Sequence, residues 1–273
     1  MLKRDDLSMS YIDTLYDLEG KVAVVIGGTG ELCSHMALGL AKAGVEVVLA
    51  GRNEDKAQDR LDMIHASSDD CGAGEKAYFV ATDLMQKGSL YALLDIVIER
   101  SGKVDILING AGVNTTKPVL EIPTEDFQTI LDINLTSTFQ ACQVFGQYFL
   151  EHSVPASIIN LGSIAGLTPV SNSFAYSASK AALHNLTKNF AREWADNDIR
   201  VNTLIPGFFP SDQNKRALDE ARILEILRKT PMSRFGDPDE LIGATLLLAS
   251  ARAGSFITGS EFVIDGGFNT VSI

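Results

Sequence analysis

Basic residues are in deficit: 23 Lys and Arg stand against 35 Asp and Glu, a formal net charge of −12. A chain of that charge repels nucleic acid and anionic lipid, so neither is expected as a partner. Cysteine is scarce. Cys33, Cys71 and Cys142 are odd in number and far apart, with no Cys-x-x-Cys and no His at ligand spacing, so neither a disulfide framework nor a metal centre is expected. No apolar run approaches the roughly 20 residues of a membrane-spanning helix. The start, Met1-Leu2-Lys3-Arg4-Asp5-Asp6, lacks the apolar core of a signal peptide, and the expected location is the cytoplasm. Low-complexity tracts, Pro/Ser-rich linkers and internal repeats are missing too, so the 273 residues read without a seam.

What is present alternates between short β-branched runs and helix-period segments, the pattern of a single doubly wound α/β domain. Residues 1–18 precede the first strand and read as a surface arm, and residues 19–273 as the domain. The acidic, small-residue stretch Ser67 to Gly74 reads as an exposed loop.

Val22-Ala23-Val24-Val25-Ile26 is followed at once by Gly27-Gly28-Thr29-Gly30 and then by Leu32, Met36 and Leu40 at helical spacing, closed by Gly44. This is strand, glycine turn, helix. Glycines there let backbone approach a pyrophosphate, which the free N–H groups and dipole of the helix start would bind. Further along, Tyr176 and Lys180 lie one turn apart on a helix face, with Ser163 at the end of the strand-like run Ser157-Ile158-Ile159-Asn160-Leu161-Gly162. An ammonium near the phenol is expected to lower a pKa that starts near ~10 and make Tyr176 an acid or base at neutral pH.

Four further pieces follow in order: Asp83-Leu84 after Tyr78–Ala81, Asn109-Gly110-Ala111-Gly112 after Val104–Ile108, Asn134 in a helical run, and Pro206-Gly207 after Arg200–Ile205. With these in register the chain resembles the short-chain dehydrogenase/reductase family over nearly its whole length. The resemblance implies a seven-stranded parallel Rossmann sheet with helices on both faces, a small-molecule substrate, a nicotinamide cofactor and a homotetramer. It implies a catalytic tetrad of Asn134, Ser163, Tyr176 and Lys180, with Lys180 also on the nicotinamide ribose. For the cofactor it implies Gly27, Thr29, Gly30, Glu31 and Leu32 in the turn, Asp83 and Leu84 beside the adenine, Asn109, Ala111 and Gly112 along the sheet edge, and Pro206, Gly207 and Ser211 at the nicotinamide. The common Thr-Gly-x-x-x-Gly-x-Gly is altered, with Ile26 for the Thr, Glu31 for the second Gly and Cys33 for the third, which places a carboxylate close to the expected phosphates.

Gly51-Arg52-Asn53 ends the second strand, where NAD enzymes commonly carry an acid for the ribose 2′-OH and NADP enzymes an Arg for the 2′-phosphate. Arg52, with Asn53, points to NADP(H). NAD(H) is the alternative, because Glu31 adds negative charge and no second basic residue sits in the glycine turn. Beyond Pro206-Gly207, Phe208 and Phe209 open a segment of about 207–232 in which Leu218, Ala221, Leu224 and Leu227 recur at helical spacing, the pattern of a packed lid over substrate. Gln213 and Asn214 are candidate contacts for substrate hydroxyls. Lys215 and Arg216 read either as surface charges or as the cation an anionic substrate requires. These segments, with Thr230–Gly236 and Asp265–Phe268, resemble the branch of mannonate oxidoreductases or fructuronate reductases, and gluconate 5-dehydrogenase-like and deoxygluconate dehydrogenase-like members share much of the pattern. The expected activity is interconversion of a secondary alcohol and a ketone on a sugar acid. A ketoacyl thioester reductase and a non-enzymatic dinucleotide sensor are the rivals. The apolar, Gly-rich run Phe262–Phe268 looks built to be covered in the oligomer.

Overall fold

Every residue of Val22–Ile26 is buried, which is why this strand is apolar on both faces rather than alternating. It is β1, an interior strand of the sheet. The structure is a computed structural model, described over residues 11–69, 77–210 and 219–270. Around β1 run β2 (Glu46–Gly51), β3 (Ala77–Ala81), β4 (Ile106–Asn109), β5 (Ala156–Leu161), β6 (Ile199–Pro206) and β7 (Glu261–Ile264), in the order β3-β2-β1-β4-β5-β6-β7. All pairings are parallel. The expected seven-stranded Rossmann sheet is present.

The helices are α1 (Tyr11–Tyr16), α2 (Glu31–Lys42), α3 (Glu54–Asp69), α4 (Lys87–Ser101), α5 (Thr124–Leu131), α6 (Ser137–Glu151), α7 (Phe174–Trp194), α8 (Glu220–Lys229) and α9 (Ile242–Ala249). Alternate residues of β1 feed two cores, as strand geometry requires. Val22, Val24 and Ile26 face Leu90 and Leu93 of α4, Phe145 and Phe149 of α6, and Phe190 of α7. Ala23 and Val25 face Met36 and Leu40 of α2, Ile64 of α3 and Leu248 of α9. Strand order reverses between β1 and β4, and the crevice outside the carboxyl ends of those strands is where open α/β sheets bind ligands.

Two local readings need correction. α3 continues through Asp69, so Ser67 to Asp69 are helical, not loop; residues 70–76 lie outside the described residues. The described part of the N-terminal arm has no buried residue in α1 and meets the α2 core at Leu18. On α8 the buried position is Ile226, whereas Leu224 is exposed, so the packed face differs from the Ala221/Leu224/Leu227 stripe read from spacing.

Candidate active site

The crevice begins at the glycine turn. Gly27 has φ +77°, and a Cβ there would come within 2.6 Å of the Ala111 nitrogen; on Gly28 one would meet the Val25 oxygen at 2.8 Å. Only glycine lets this turn lie against the loop after β4. Gly30 is different: a Cβ would approach only the Gly27 oxygen, at 3.2 Å, and its outer side faces the cleft. α2 starts there with no side-chain cap, so its first-turn N–H groups point into a cleft of about 330 Å³ that runs from Thr29 and Gly30 to Tyr176 and Lys180. An uncapped helix start behind a glycine turn suits a cofactor pyrophosphate.

The altered turn has its own compensation. Glu31, expected close to the phosphates, bonds Arg60 of α3 at 2.6 Å and lies 3.8 Å from His35, which in turn meets Asp239 at 2.7 Å. Cys33 is buried, and a Cβ on Gly110 would lie 2.0 Å from its sulfur. Arg60 and Lys56 line the cleft, which supplies the basic groups that the turn itself lacks. Spacing could have found them, since the two lie one turn apart on α3.

At the far end, Ser163 leaves β5 in extended conformation, and its Oγ accepts from the Ala165 N–H at 3.2 Å, capping a short turn over Ile164–Gly166. Tyr176 and Ser163 line the same end of the cleft, where the Ser163 hydroxyl acts on the phenol. Lys180 is buried under the tyrosine ring, with Nζ 5.7 Å from the ring centroid and donating to the Leu161 carbonyl at 2.7 Å. Asn134 sits in a π-turn, Asp132–Thr136, a distortion that often marks functional positions. Its Oδ1 accepts from the Val113 N–H at 2.8 Å, and its Nδ2 donates to the Val113 carbonyl at 2.9 Å and to Ser179 Oγ at 3.1 Å. Gly112 separates it from Lys180: a Cβ there would lie 3.4 Å from Asn134 Oδ1 and 3.6 Å from Lys180 Nζ. Ser163, Tyr176 and Lys180 thus line one end of the cleft, and Asn134 is buried behind its Gly112 wall.

The electrostatics differ from the expectation. Burial pushes the Tyr176 phenol up, with the Ser163 hydrogen bond opposing, and burial pulls Lys180 down to about 8 against a weaker opposing pull from Cys33. The ammonium stands over the ring face, not at the oxygen, and desolvation outweighs the expected lowering of the phenol.

The remaining candidates divide. Pro206, Gly207 and Phe208 line the cleft with Gly112. Asp83 accepts from the Met85 N–H at 3.1 Å and Asn53 from the Lys56 N–H at 2.8 Å, so both shape local backbone, whereas Asn109 donates to the Asn160 side chain at 2.9 Å inside the sheet. Leu84 and Ala111 pack on the α4/α6 core. Arg52 is exposed beyond β2. Phe209, read as lid surface, lines the cleft too but is packed into the core: it is buried, and Gly236 leaves room for its ring, which a Cβ would meet at 2.4 Å. Phe208 stacks edge-on with Phe268, centroids 5.2 Å apart. Ser211, Gln213, Asn214, Lys215, Arg216 and Leu218 lie outside the described residues.

Residues 31–269 match the family model described as enoyl-(acyl carrier protein) reductase. The chain is 37% identical over 277 residues to a Bacillus subtilis protein named uncharacterized oxidoreductase UxuB, covering 94% of this chain and 97% of that one. It is 32% identical to the Escherichia coli 2-dehydro-3-deoxy-D-gluconate 5-dehydrogenase over 254 residues, 93% and 97% of the two chains. Among solved structures it superposes with TM-score 0.87 on a gluconate 5-dehydrogenase from Burkholderia cenocepacia in complex with NADP and tartrate, at 29% identity and covering 96% of this chain and all of that one. The chain belongs to the short-chain dehydrogenase/reductase family. It is an NAD(P)-dependent oxidoreductase that interconverts an alcohol and a ketone.

Proposed function

We propose that this enzyme reduces the keto form of a sugar acid, of the fructuronate or 5-ketogluconate type, with NADP(H), and oxidises the corresponding hydroxy acid in reverse. The observation that carries the reading is the convergence of Ser163, Tyr176 and Lys180 at the end of the cleft that opens at the uncapped start of α2. The names of the similar proteins support the sugar-acid class.

The glycine turn and the α2 N-terminus would hold the cofactor phosphates, with Lys56 and Arg60 on the cleft wall and the exposed Arg52 beyond β2 as positive charge for them. The nicotinamide supplies hydride to the carbonyl carbon when bound. Tyr176 donates its phenolic proton to the carbonyl oxygen, and Ser163 holds that oxygen by a hydrogen bond as charge develops. A high phenol pKa keeps that proton in place until the oxygen becomes basic. Lys180, buried next to the ring, donates to the Leu161 carbonyl and would hold the nicotinamide ribose at that end of the cleft. Asn134 fixes the 112–114 backbone that borders the reacting end. Phe208, backed by the ring of Phe268, forms an apolar wall of the substrate space.

The test is a reduction assay with NADPH and with NADH over hexuronates, keto-hexonates, a neutral ketose and an acetoacetyl thioester, reading loss of the reduced nicotinamide. A sugar acid with NADPH should react fastest, and Tyr176→Phe should lower its turnover by roughly 10²-fold while cofactor binding is kept. A neutral ketose or thioester that outperforms every sugar acid overturns the substrate class. Near-native turnover in Tyr176→Phe overturns the site assignment.

A further inference from the structure

Tyr176, Lys180, His184 and Lys188 follow one another at i, i+4 along a single face of α7. His184 is the buried member directly beyond Lys180. Its ring supports the loop that carries Ser163: a Cβ on Gly162 would lie 2.4 Å from Nε2, and one on Gly166 would lie 2.7 Å from Cε1 and 2.8 Å from the Ala181 nitrogen. Both glycines let the loop backbone rest on the imidazole. Between them the Ser163 N–H donates to His184 Nε2 at 3.3 Å. An accepting Nε2 requires the neutral ring with its proton on Nδ1, and Nδ1 is buried with no hydrogen-bond partner among the described residues.

The surroundings keep the ring neutral. Burial pulls His184 down to about 4; Glu261 of β7 opposes this, and Lys180 and Lys188 on its own helix add to it. Glu261 is itself paired with Lys188 at 2.5 Å. An imidazolium would lose the acceptor that Ser163 uses, and at neutral pH that state is suppressed.

We infer that His184 is a positioning residue for the reaction: its Nε2 and ring face fix the Gly162–Gly166 loop so that the Ser163 hydroxyl is held at the reacting end of the cleft beside Tyr176. This rests on the roles proposed above for Ser163 and Tyr176. The Ser163 bond lowers the phenol pKa against burial, so a loosened Ser163 lets that pKa rise. The imidazole therefore acts, at one remove, on the pH at which Tyr176 works.

The experiment compares His184→Leu, which keeps volume and removes the acceptor, with His184→Gln, whose amide oxygen can still accept, and with Ser163→Ala. Turnover in the oxidation direction is followed against pH, dinucleotide binding by calorimetry and folding by thermal unfolding, with rates scaled to the binding-competent fraction. For His184→Leu, kcat is expected to fall about 10-fold to 100-fold, the scale of a misplaced catalytic group. KM and dinucleotide affinity should change by no more than about twofold. The limb of kcat that reports phenol ionisation should move to higher pH, and His184→Gln should restore both kcat and the limb. If His184→Leu does not fold, His184→Met replaces it as the apolar variant. Wild-type kcat in the apolar variant, beside an inactive Ser163→Ala, overturns this inference alone. So does a lowered kcat with an unmoved limb that Gln fails to restore, which marks a merely structural histidine. An active Ser163→Ala overturns the underlying site reading and this inference with it.

Discussion

Cys33 stands where the common turn has its third glycine, and the room for its sulfur comes from Gly110, across the crevice. A methyl on Gly110 would lie 2.0 Å from that sulfur, whereas the next nearest atoms, the Ile26 oxygen and Leu161 Cδ2, are both at 3.5 Å, ordinary contact. The two residues are therefore coupled. Gly110→Ala should destabilise by about 1–3 kcal/mol, as overpacking of a buried site does. In a Cys33→Ala background the same substitution should cost much less. Urea unfolding of the two single variants and the double gives the coupling, and additive losses would contradict it. At this scale the chemistry of the site was legible, because Tyr176, Ser163, Lys180 and Asn134 have types and spacings that few other roles need. The supports were not. Nothing in a linear string shows that Gly110 faces Cys33, or that Gly162 and Gly166 rest on His184, because those are contacts across the fold. The raised phenol of Tyr176 was also hidden, since desolvation depends on what covers a side chain and not on its neighbours in sequence.

Between elements, the pairing of α2 with α3 governs how an acidic turn can receive an anionic ligand. Glu31 sits in the first turn of α2, where the dipole favours a carboxylate, and Arg60 of α3 bonds it at 2.6 Å at the cleft wall. Removing the guanidinium leaves Glu31 to repel phosphate. Arg60→Ala should weaken NADPH binding roughly tenfold at low salt, and adding Glu31→Gln should recover most of the loss, the behaviour expected of a partly screened charge pair. Calorimetric titration of NADPH and NADH distinguishes the outcomes. A selective loss for NADPH that Glu31→Gln does not recover places Arg60 on the 2′-phosphate itself, and unchanged binding makes the pair a surface feature only. The strands were readable to within a residue or two, because they are short, largely apolar runs followed by glycine, although β5 and β6 also bury Ser157, Asn160, Arg200, Asn202 and Thr203. α8 was legible as a helix but not in its facing. Ile223, Ile226 and Leu227 form a stripe as plausible as the one chosen, and only packing decides between them.

For the whole molecule, stability should follow pH along limbs set by a few buried groups rather than by the large surface charge. Cys33 and Cys142 are pushed by burial from 9.0 to about 12, so the folded state keeps protons that the unfolded chain gives up. Their contribution is present below pH 9 and is lost as pH rises toward 12. Lys180, pulled from 10.5 to about 8, acts the other way: its burial penalty is complete below about pH 8 and is relieved as pH climbs to 10.5. These alkaline effects oppose one another. On the acid side His184 stands out, with a folded value of about 4 against an ordinary 6.5. The unfolded chain binds the proton more tightly, so stability is unaffected above pH 6.5 and is lost as pH falls from there to about 4. The loss is on the order of 3 kcal/mol, since each tenfold difference in proton affinity between the folded and unfolded chain is worth about 1.4 kcal/mol. Carboxylates also titrate toward the lower end of that window, so the contribution of the imidazole is read as a difference. Urea unfolding at steps between pH 7 and pH 4 should show the native protein losing more stability than His184→Gln, which has no proton to bind. The two curves should diverge first near pH 6.5, before most carboxylates respond. Parallel curves would mean that the ring is protonated as readily in the fold as in the unfolded chain, and the support it gives to the Ser163 loop would then have to survive an imidazolium, which cannot accept the Ser163 N–H.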